Sequence, residues 1–206
     1  MKIAEIVPKY WKKSLVDLKK SDEILASVIN KFPNENLKKN LDPFKTLVYS
    51  IIGQQISVSA ASSIKKKFKS ISNIDPSIII KISDDKLREC GLSYRKIQYI
   101  KNVSNEFISG GLNSIKFEDY SDHEIKTKLI FIKGIGDWTA DMFLINFLNR
   151  PNILPIGDAG IINSIKNLYG IEYVEPQKLE MLRELWTPWC TTASFFLWKN
   201  LDTKLK

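Results

Sequence analysis

Two cysteines and one histidine among 206 residues leave little material for metal or thiol chemistry. Cys90 and Cys190 cannot form a four-cysteine zinc site or an iron–sulfur cluster, and they give no sign of a secreted disulfide scaffold. The chain also lacks a Gly-x-Ser-x-Gly elbow, a P-loop and a His-rich metal motif. His123 lies in a polar, acidic helix start, so we expect it at the surface.

Long apolar runs are also missing. No run approaches the roughly 18 apolar residues of a membrane span, and residues 1–13 contain no apolar core of a signal peptide. We therefore expect a protein without membrane association, and we also expect it to be a monomer. It would remain inside the cell, in the cytoplasm or nucleoid, or in the nucleus if the source is eukaryotic.

Positively charged residues are in excess. Lys and Arg total 31 against 23 for Asp and Glu, which gives a net charge of +8. An excess of this size favours a polyanionic partner, and nucleic acid is the first choice. A Lys-rich composition set by the host genome is the alternative, because Ile, Lys and Asn are all plentiful. With 44% hydrophobic residues, the chain can form one large domain or two small lobes around a shared cleft.

The hydrophobic pattern predicts an all-α fold. Apolar residues recur at three- and four-residue spacing, and residues that favour helix starts precede most of these stretches. Strict alternation is absent except in the first few residues, and no repeat or low-complexity tail is present. The predicted helix starts lie at or near Pro8, Ser21, Asp42, Ser57, Asp75, Ser83, Ser93, Ser121, Asp137, Asp158, Pro176 and Thr187.

A Gly-x-Gly turn joins two predicted helices at residues 133–136. Gly134 and Gly136 flank Ile135, and this spacing suggests backbone geometry that a Cβ would forbid. The turn's N–H groups lie at the positive end of the following helix, an arrangement that binds phosphate without reading sequence. Ile135 suits a plug between the helices, and Lys133 adds charge. The alternative is an ordinary αα-hairpin turn in which the glycines only stop helices.

Asp158 is the second candidate feature. It precedes an apolar helix in which Ile161, Ile162 and Ile165 fall on the same face. A carboxylate near a core has either a structural or a chemical use. It can serve as an N-cap, which contributes about 1 kcal/mol, or as the fixed anion that stabilises an oxocarbenium-like sugar when an N-glycosidic bond breaks. One residue can do both.

Several stretches together resemble the helix–hairpin–helix DNA glycosylases, in particular the AlkA-type 3-methyladenine DNA glycosylase II branch. Residues 131–144 (FIKGIGDWTADMFL) and 154–161 (LPIGDAGI) resemble the hairpin, loop and aspartate of that family. Residues 51–57 (IIGQQIS) resemble its GQQ-[VI]-S stretch, and residues 91–96 (GLSYRK) its G-x-x-x-x-K helix start. Residues 186–198 resemble its C-terminal W-x-P-W helix. The resemblance extends from about Asp42 to Asn200.

The resemblance implies roles for individual positions. Asp158 falls on the catalytic aspartate, and Trp138, Trp198 and Met142 fall on the pocket that stacks on the flipped base. Gln55 falls on the wedge that fills the gap left by that base. Residues implied in DNA binding are Lys133, Gly134, Ile135, Gly136, Gln54, Gln55 and Ser57.

The resemblance implies that the protein requires no cofactor. In relatives, however, the hairpin also holds a metal ion through main-chain carbonyls. That implies a site for a monovalent or divalent cation at Ile132 and Gly134. Bifunctional relatives carry a lysine nucleophile where this chain has Trp138, so no lyase activity is expected. Met142 stands where some relatives have an aromatic residue. Without the resemblance, the spacing of Trp138, Met142 and Ile145, and the apolar run around Trp198, would be read as core.

We therefore expect one glycosylase domain over residues 1–206, with two helical lobes around a DNA-binding cleft. About 1–40 and the C-terminal helices would form one lobe, and 42–150 would form most of the other. The expected function is a monofunctional glycosylase that flips alkylated purines of the 3-methyladenine type from duplex DNA and hydrolyses the N-glycosidic bond. The alternatives are a non-catalytic helix–hairpin–helix protein, a glycosylase with another base preference, and a glycosylase with lyase activity.

Overall fold

The computed structural model describes residues 7–204, and across that range every regular element is helical. Within the range, no helix combines the length and apolar character that crossing a membrane requires. The possible alternation in the first few residues lies outside the described range. The helices are α1 (Trp11–Ser21), α2 (Glu23–Lys31), α3 (Pro43–Gly53), α4 (Val58–Ser72), α5 (Pro76–Ile79), α6 (Asp84–Glu89), α7 (Tyr94–Ile108), α8 (Asp122–Ile130), α9 (Asp137–Asn146), α10 (Ala159–Tyr169), α11 (Pro176–Trp186) and α12 (Cys190–Lys204), with a 3-10 turn at Phe117–Asp119. The prediction of an all-α fold is confirmed.

Side-chain caps explain why most helices begin where the sequence predicts. A cap oxygen accepts a hydrogen bond from an otherwise unpaired N–H of the first turn. Caps of this kind start eight helices of the described chain, at Asp22, Asp42, Ser57, Asp75, Ser83, Ser93, Ser121 and Asp158. Two predicted starts are early. The helix predicted from Pro8 begins at Trp11, and the last helix begins at Cys190 rather than at Thr187.

The chain forms two compact units. One comprises residues 40–143, and the other comprises residues 1–39 with 144–206. In the 40–143 unit, α3 packs against α4 and α7, and α5 and α6 also pack on α7. Apolar residues on α3 and α7, among them Leu47, Ile51, Ile97 and Ile100, are fully buried. Consequently α7 supports several neighbouring elements at once.

In the other unit, α12 packs against α1, α2, α10 and α11. The carboxylate of Asp22, which caps α2, is buried in this unit. Asp22 accepts hydrogen bonds from the Leu25 N–H (3.0 Å), the Trp186 Nε1–H (2.8 Å) and the Tyr169 hydroxyl. Burial and this hydrogen bond raise the pKa of Tyr169 far above its usual value, so it remains a neutral donor. A buried carboxylate with three donors thus joins α2, α10 and α11.

Candidate functional site

The Gly-x-Gly turn connects α8 to α9 through residues 131–136. The Ile135 N–H donates to the Ile132 carbonyl (3.0 Å), which closes a tight turn, and the Gly136 carbonyl accepts the first bond of α9 from the Ala140 N–H (3.0 Å). Ile132 and Ile135 are 8% and 4% exposed, whereas Lys133 and Gly136 lie at the surface. The expectation that Ile135 is an apolar plug is therefore consistent with its burial.

Only one of the two glycines occupies a position where a Cβ would not fit. Gly134 has a φ of +112°, and a Cβ placed there would lie 2.2 Å from Cγ of Tyr99 on α7. Glycine is required at this position by both conformation and packing. Gly136 has no positive φ, and a Cβ there would meet no protein atom within 4 Å. The expectation of forbidden geometry at both glycines is therefore wrong for Gly136, which is open to approach from outside.

The side chain of Gln54 joins the end of α3 to the hairpin. Its Nε2 donates to the Gly134 carbonyl (3.1 Å) and to the Thr139 hydroxyl in the first turn of α9 (2.8 Å). Asn102 on α7 donates from Nδ2 to the Lys133 carbonyl (3.0 Å). The hairpin is thus held by side chains that are distant in sequence. Gln54 was predicted to bind DNA, but here its side-chain NH2 group donates two hydrogen bonds within the protein.

Lys126 links the two helices of the hairpin. Its ammonium lies 2.9 Å from Asp141 Oδ1 and 3.2 Å from Asp137 Oδ1. Asp141 is 7% exposed, and burial raises the pKa of its carboxyl group although Lys126 opposes the rise. A carboxylate so nearly buried needs such a partner. The two ion pairs of Lys126 fix α9 relative to α8.

The turn between α3 and α4 contains the predicted wedge. Gln55 is exposed and has a φ of +55°, a left-handed conformation that is uncommon outside glycine. Ser57 caps α4 by accepting from the Ala60 N–H (3.2 Å). Residues 55–60 are all exposed, and Val58 is 79% exposed. The chain therefore presents a continuous accessible segment at the N-terminus of α4.

Asp158 is the N-cap of α10, as one of the two sequence readings predicts. Its Oδ1 accepts from the Ile161 N–H (2.9 Å) and from the Trp198 Nε1–H (3.1 Å). A Cβ added at Gly160 would lie 2.9 Å from the same oxygen and 3.4 Å from Trp198 Cδ1. The half-buried carboxylate is therefore fixed by a backbone donor and an indole, and the small residue at 160 leaves room for both.

The sequence predicts Trp138, Met142 and Trp198 for the base pocket. Trp138 is half-buried, and its ring edge lies 3.9 Å from where a Cβ of Gly53 would stand. Met142, one turn later on α9, is only 7% exposed. Trp198 is half-buried and contacts Asp158. The pocket assignments remain predictions, but Trp198 has a polar contact that an apolar stacking role does not require.

The two carbonyls predicted to hold an ion are already acceptors. Ile132 O accepts from Ile135 N–H (3.0 Å) and Gly134 O from Gln54 Nε2 (3.1 Å). Each carbonyl oxygen has two lone pairs, so one hydrogen bond leaves it able to contact a cation. Among residues 7–204, no cluster of His, Cys, Asp or Glu could hold a metal ion. Any ion at this place would therefore depend on the main chain.

No role was assigned from the sequence to the residues that support these elements, although Lys96 and Gly160 lie in the stretches that resemble the family. Lys96, Tyr99 and Asn102 contact the α3 end or the hairpin from one side of α7, and Gly160 adjoins Asp158 and Trp198. A spacing of three residues along a helix places side chains on one face, so the α7 set had a periodic signal. His123 is exposed, as predicted.

The model of the HhH-GPD superfamily of base excision DNA repair proteins matches residues 48–190. That segment contains the α3–α4 turn, the hairpin, and Asp158. The chain belongs to the HhH-GPD superfamily. Within the superfamily, it is 34% identical over 184 residues to DNA-3-methyladenine glycosylase 1 of Schizosaccharomyces pombe, covering 86% of this chain and 80% of the relative.

Solved structures of the superfamily share the fold. The S. pombe 3-methyladenine DNA glycosylase Mag1 in complex with abasic DNA superposes with a TM-score of 0.80 at 32% identity, covering 91% of this chain and 95% of that chain. A DNA-3-methyladenine glycosidase from Bacillus halodurans gives a TM-score of 0.73 at 32% identity, covering 98% and 94%. The resemblance to HhH glycosylases inferred from the sequence is confirmed.

Proposed function

We propose that this protein is a monofunctional DNA glycosylase that removes alkylated purines of the 3-methyladenine type from duplex DNA. The observation that carries the proposal is the Asp158 carboxylate, which a backbone N–H and the Trp198 indole fix at the start of α10. The S. pombe relative is named as a DNA-3-methyladenine glycosylase and the B. halodurans protein as a DNA-3-methyladenine glycosidase, and both names support this substrate class.

Asp158 acts on the sugar. Breaking the N-glycosidic bond builds positive charge on the deoxyribose ring, and a fixed anion beside the ring stabilises it. The same carboxylate can accept a proton from the attacking water. A cationic base such as 3-methyladenine is already activated as a leaving group, so the reaction needs no strong general acid. This chemistry suits a chain whose only histidine is exposed.

The base is held by aromatic faces. Trp138 and Trp198 would stack on the flipped base, since an electron-poor alkylated ring is attracted to their π-faces. Met142 would adjoin it as an adaptable apolar side chain. Unstacking costs a few kcal/mol and is easiest for a damaged base, which contributes to selectivity. Insertion of Gln55 would offset part of that cost by filling the gap in the duplex.

DNA is held mainly through its phosphates. The open Gly136, the exposed Lys133 and the N-terminus of α9 form a backbone grip that does not read sequence. Lysines on α4 add long-range attraction, because Lys66, Lys67 and Lys69 are exposed. A cation bound at the Ile132 and Gly134 carbonyls would reinforce this grip by attracting phosphate.

Lyase chemistry is not part of the proposal. A lyase needs an amine that attacks the sugar carbon, and Trp138 occupies the position that carries lysine in bifunctional relatives. Lys126, which lies on the preceding helix, is paired with Asp137 and Asp141. Borohydride should therefore trap no covalent adduct between the protein and substrate DNA, and a trapped adduct would contradict this part of the proposal.

A base-release assay tests the proposed function. Duplexes that carry alkylated, deaminated or oxidised bases are incubated with the protein, and free bases are quantified by mass spectrometry. We expect release of 3-methyladenine from alkylated DNA and little from the other substrates. Release restricted to another lesion class would refute the alkylated-purine preference, and no release from any substrate would favour a non-catalytic DNA-binding protein.

A further inference from the structure

The ammonium of Lys96 lies at the C-terminal end of α3. Its Nζ donates to the main-chain carbonyls of Ile52 (2.8 Å) and Gln54 (2.7 Å), which are 44 and 42 residues away in sequence. Lys96 is half-buried on α7, and burial lowers the pKa of its ammonium group. A cation at a helix C-terminus interacts favourably with carbonyls that have no helical partner.

The second of these bonds reaches beyond the helix. α3 ends at Gly53, and the Gln54 N–H already closes it by donating to the Ser50 and Ile51 carbonyls (3.1 and 3.3 Å). The Gln54 carbonyl belongs to the peptide group that connects Gln54 to Gln55. By binding this carbonyl, Lys96 fixes the orientation of that peptide group, which capping the helix alone does not require.

That peptide group precedes a strained residue. Gln55 has a φ of +55° and an exposed side chain. A non-glycine residue remains in this conformation only where its surroundings determine it, and such residues cluster at functional sites. On the other side, Gln54 Nε2 binds the Gly134 carbonyl (3.1 Å) and Thr139 (2.8 Å). The turn that carries Gln55 is therefore bound to α7 through its main chain and to the hairpin through a side chain.

We propose that Lys96 is a positioning residue that holds Gln55 in the conformation needed to enter the duplex, at a set distance from the phosphate-binding hairpin. This inference rests on the proposed function, in which Gln55 is the wedge. Lys96 contacts neither the base nor the sugar in this scheme, because its ammonium is engaged with main-chain carbonyls. Its contribution is to make the flipped state more accessible once DNA is bound.

A double-mutant cycle between Lys96 and Gln55 tests the inference. Lys96→Met keeps most of the side-chain length and removes the donors, and Gln55→Ala removes the wedge. We expect Lys96→Met to lower the single-turnover rate of 3-methyladenine release by about tenfold in the wild-type background, but by about twofold or less in the Gln55→Ala background. An equal loss in both backgrounds would overturn the inference, since Lys96 would then act independently of Gln55.

Two further readouts separate positioning from general structural damage. The fluorescence of 2-aminopurine placed beside an abasic-site analogue reports unstacking, and Lys96→Met should reduce this signal while DNA affinity changes by about threefold or less. Lys116→Met is the matched control, because it removes the charge of an exposed lysine in the same unit. It should leave the fluorescence signal unchanged. If Lys116→Met reduced the fluorescence signal as much as Lys96→Met does, the inference would be overturned.

If Lys96→Met does not fold, Lys96→Arg takes its place in the test. Lys96→Arg retains the charge and N–H donors with a different geometry, so it should fold, and the cycle is repeated with it. A smaller loss that again depends on Gln55 supports the inference, and an additive loss overturns it. If the wild type releases no base, the proposed function itself fails. If the wild type releases base but the effects of the Lys96 and Gln55 substitutions are additive, the positioning role of Lys96 fails and the proposed function stands.

Discussion

Substituting each glycine of the hairpin with alanine separates folding from DNA binding. Gly134→Ala places a methyl group 2.2 Å from Cγ of Tyr99 and 2.5 Å from its Cβ, so the backbone of α7 would have to move. It also places alanine at a φ of +112°. The strained backbone costs about 1–3 kcal/mol, and overpacking costs about 1–3 kcal/mol more. The expected loss of about 2–6 kcal/mol is large against a usual stability of about 5–15 kcal/mol.

Gly136→Ala should behave differently. Its φ is not positive and its Cβ would meet no protein atom within 4 Å. Gly136 directly precedes α9, where alanine caps less well than glycine, so the free energy of unfolding should fall by no more than about 1 kcal/mol. The same methyl group would intrude where a phosphate approaches the turn. Losing one N–H bond to a phosphate weakens binding by about tenfold.

Urea unfolding followed by circular dichroism measures the first effect, and fluorescence anisotropy with a duplex that contains an abasic-site analogue measures the second. The salt dependence of wild-type binding provides a control, because phosphate contacts weaken steeply as salt is added. Wild-type stability in Gly134→Ala would refute the packing account. Wild-type affinity in Gly136→Ala would refute the phosphate grip at this turn.

Three further predictions concern single side chains. Trp198→Phe keeps an aromatic face and removes the N–H bond to Asp158, so single-turnover base release should fall by about tenfold or more while DNA affinity is retained; an unchanged rate would show that the bond is dispensable. Asp22→Ala should lower the free energy of unfolding by about 2–5 kcal/mol in urea melts, since it leaves buried donors without an acceptor; a loss below about 1 kcal/mol would contradict this. Burial lowers the pKa of Lys65, so the native state disfavours its charged form, and stability should rise with pH between the lowered pKa and about 10.5. Lys65→Met should lack that rise in urea melts from pH 7 to 11, and an identical pH profile in both proteins would exclude this contribution.

Local sequence signals predicted the helical framework well. The Asp and Ser caps accept hydrogen bonds from N–H groups two or three residues ahead, so their partners lie within the same short stretch. The N-cap role of Asp158 was readable for the same reason. The start of α12 was harder to predict, since Thr187 and Pro188 carry start signals although the helix begins at Cys190.

The connections that organise the candidate site could not be predicted in this way. Gln54 and Gly134 are 80 residues apart, and Asp158 and Trp198 are 40 residues apart. Such pairs meet only after helices have packed, and no periodicity within one helix specifies the partner. The Gly-x-Gly pattern was similarly ambiguous. The φ of +112° and the packing against Tyr99 together show that Gly134 must be glycine, whereas Gly136 need not be.

The role of Asp158 in chemistry is the central claim, and a single comparison tests it most directly. The single-turnover rate of 3-methyladenine release is measured for the wild type, Asp158→Asn and the control Asp42→Asn. Both aspartates cap a helix by accepting an N–H at 2.9 Å, and asparagine caps nearly as well as aspartate, so the two substitutions disturb capping equally. We predict that Asp158→Asn is slower by about a hundredfold or more and that Asp42→Asn matches the wild type. Equal rates for Asp158→Asn and the wild type would show that Asp158 is only a cap.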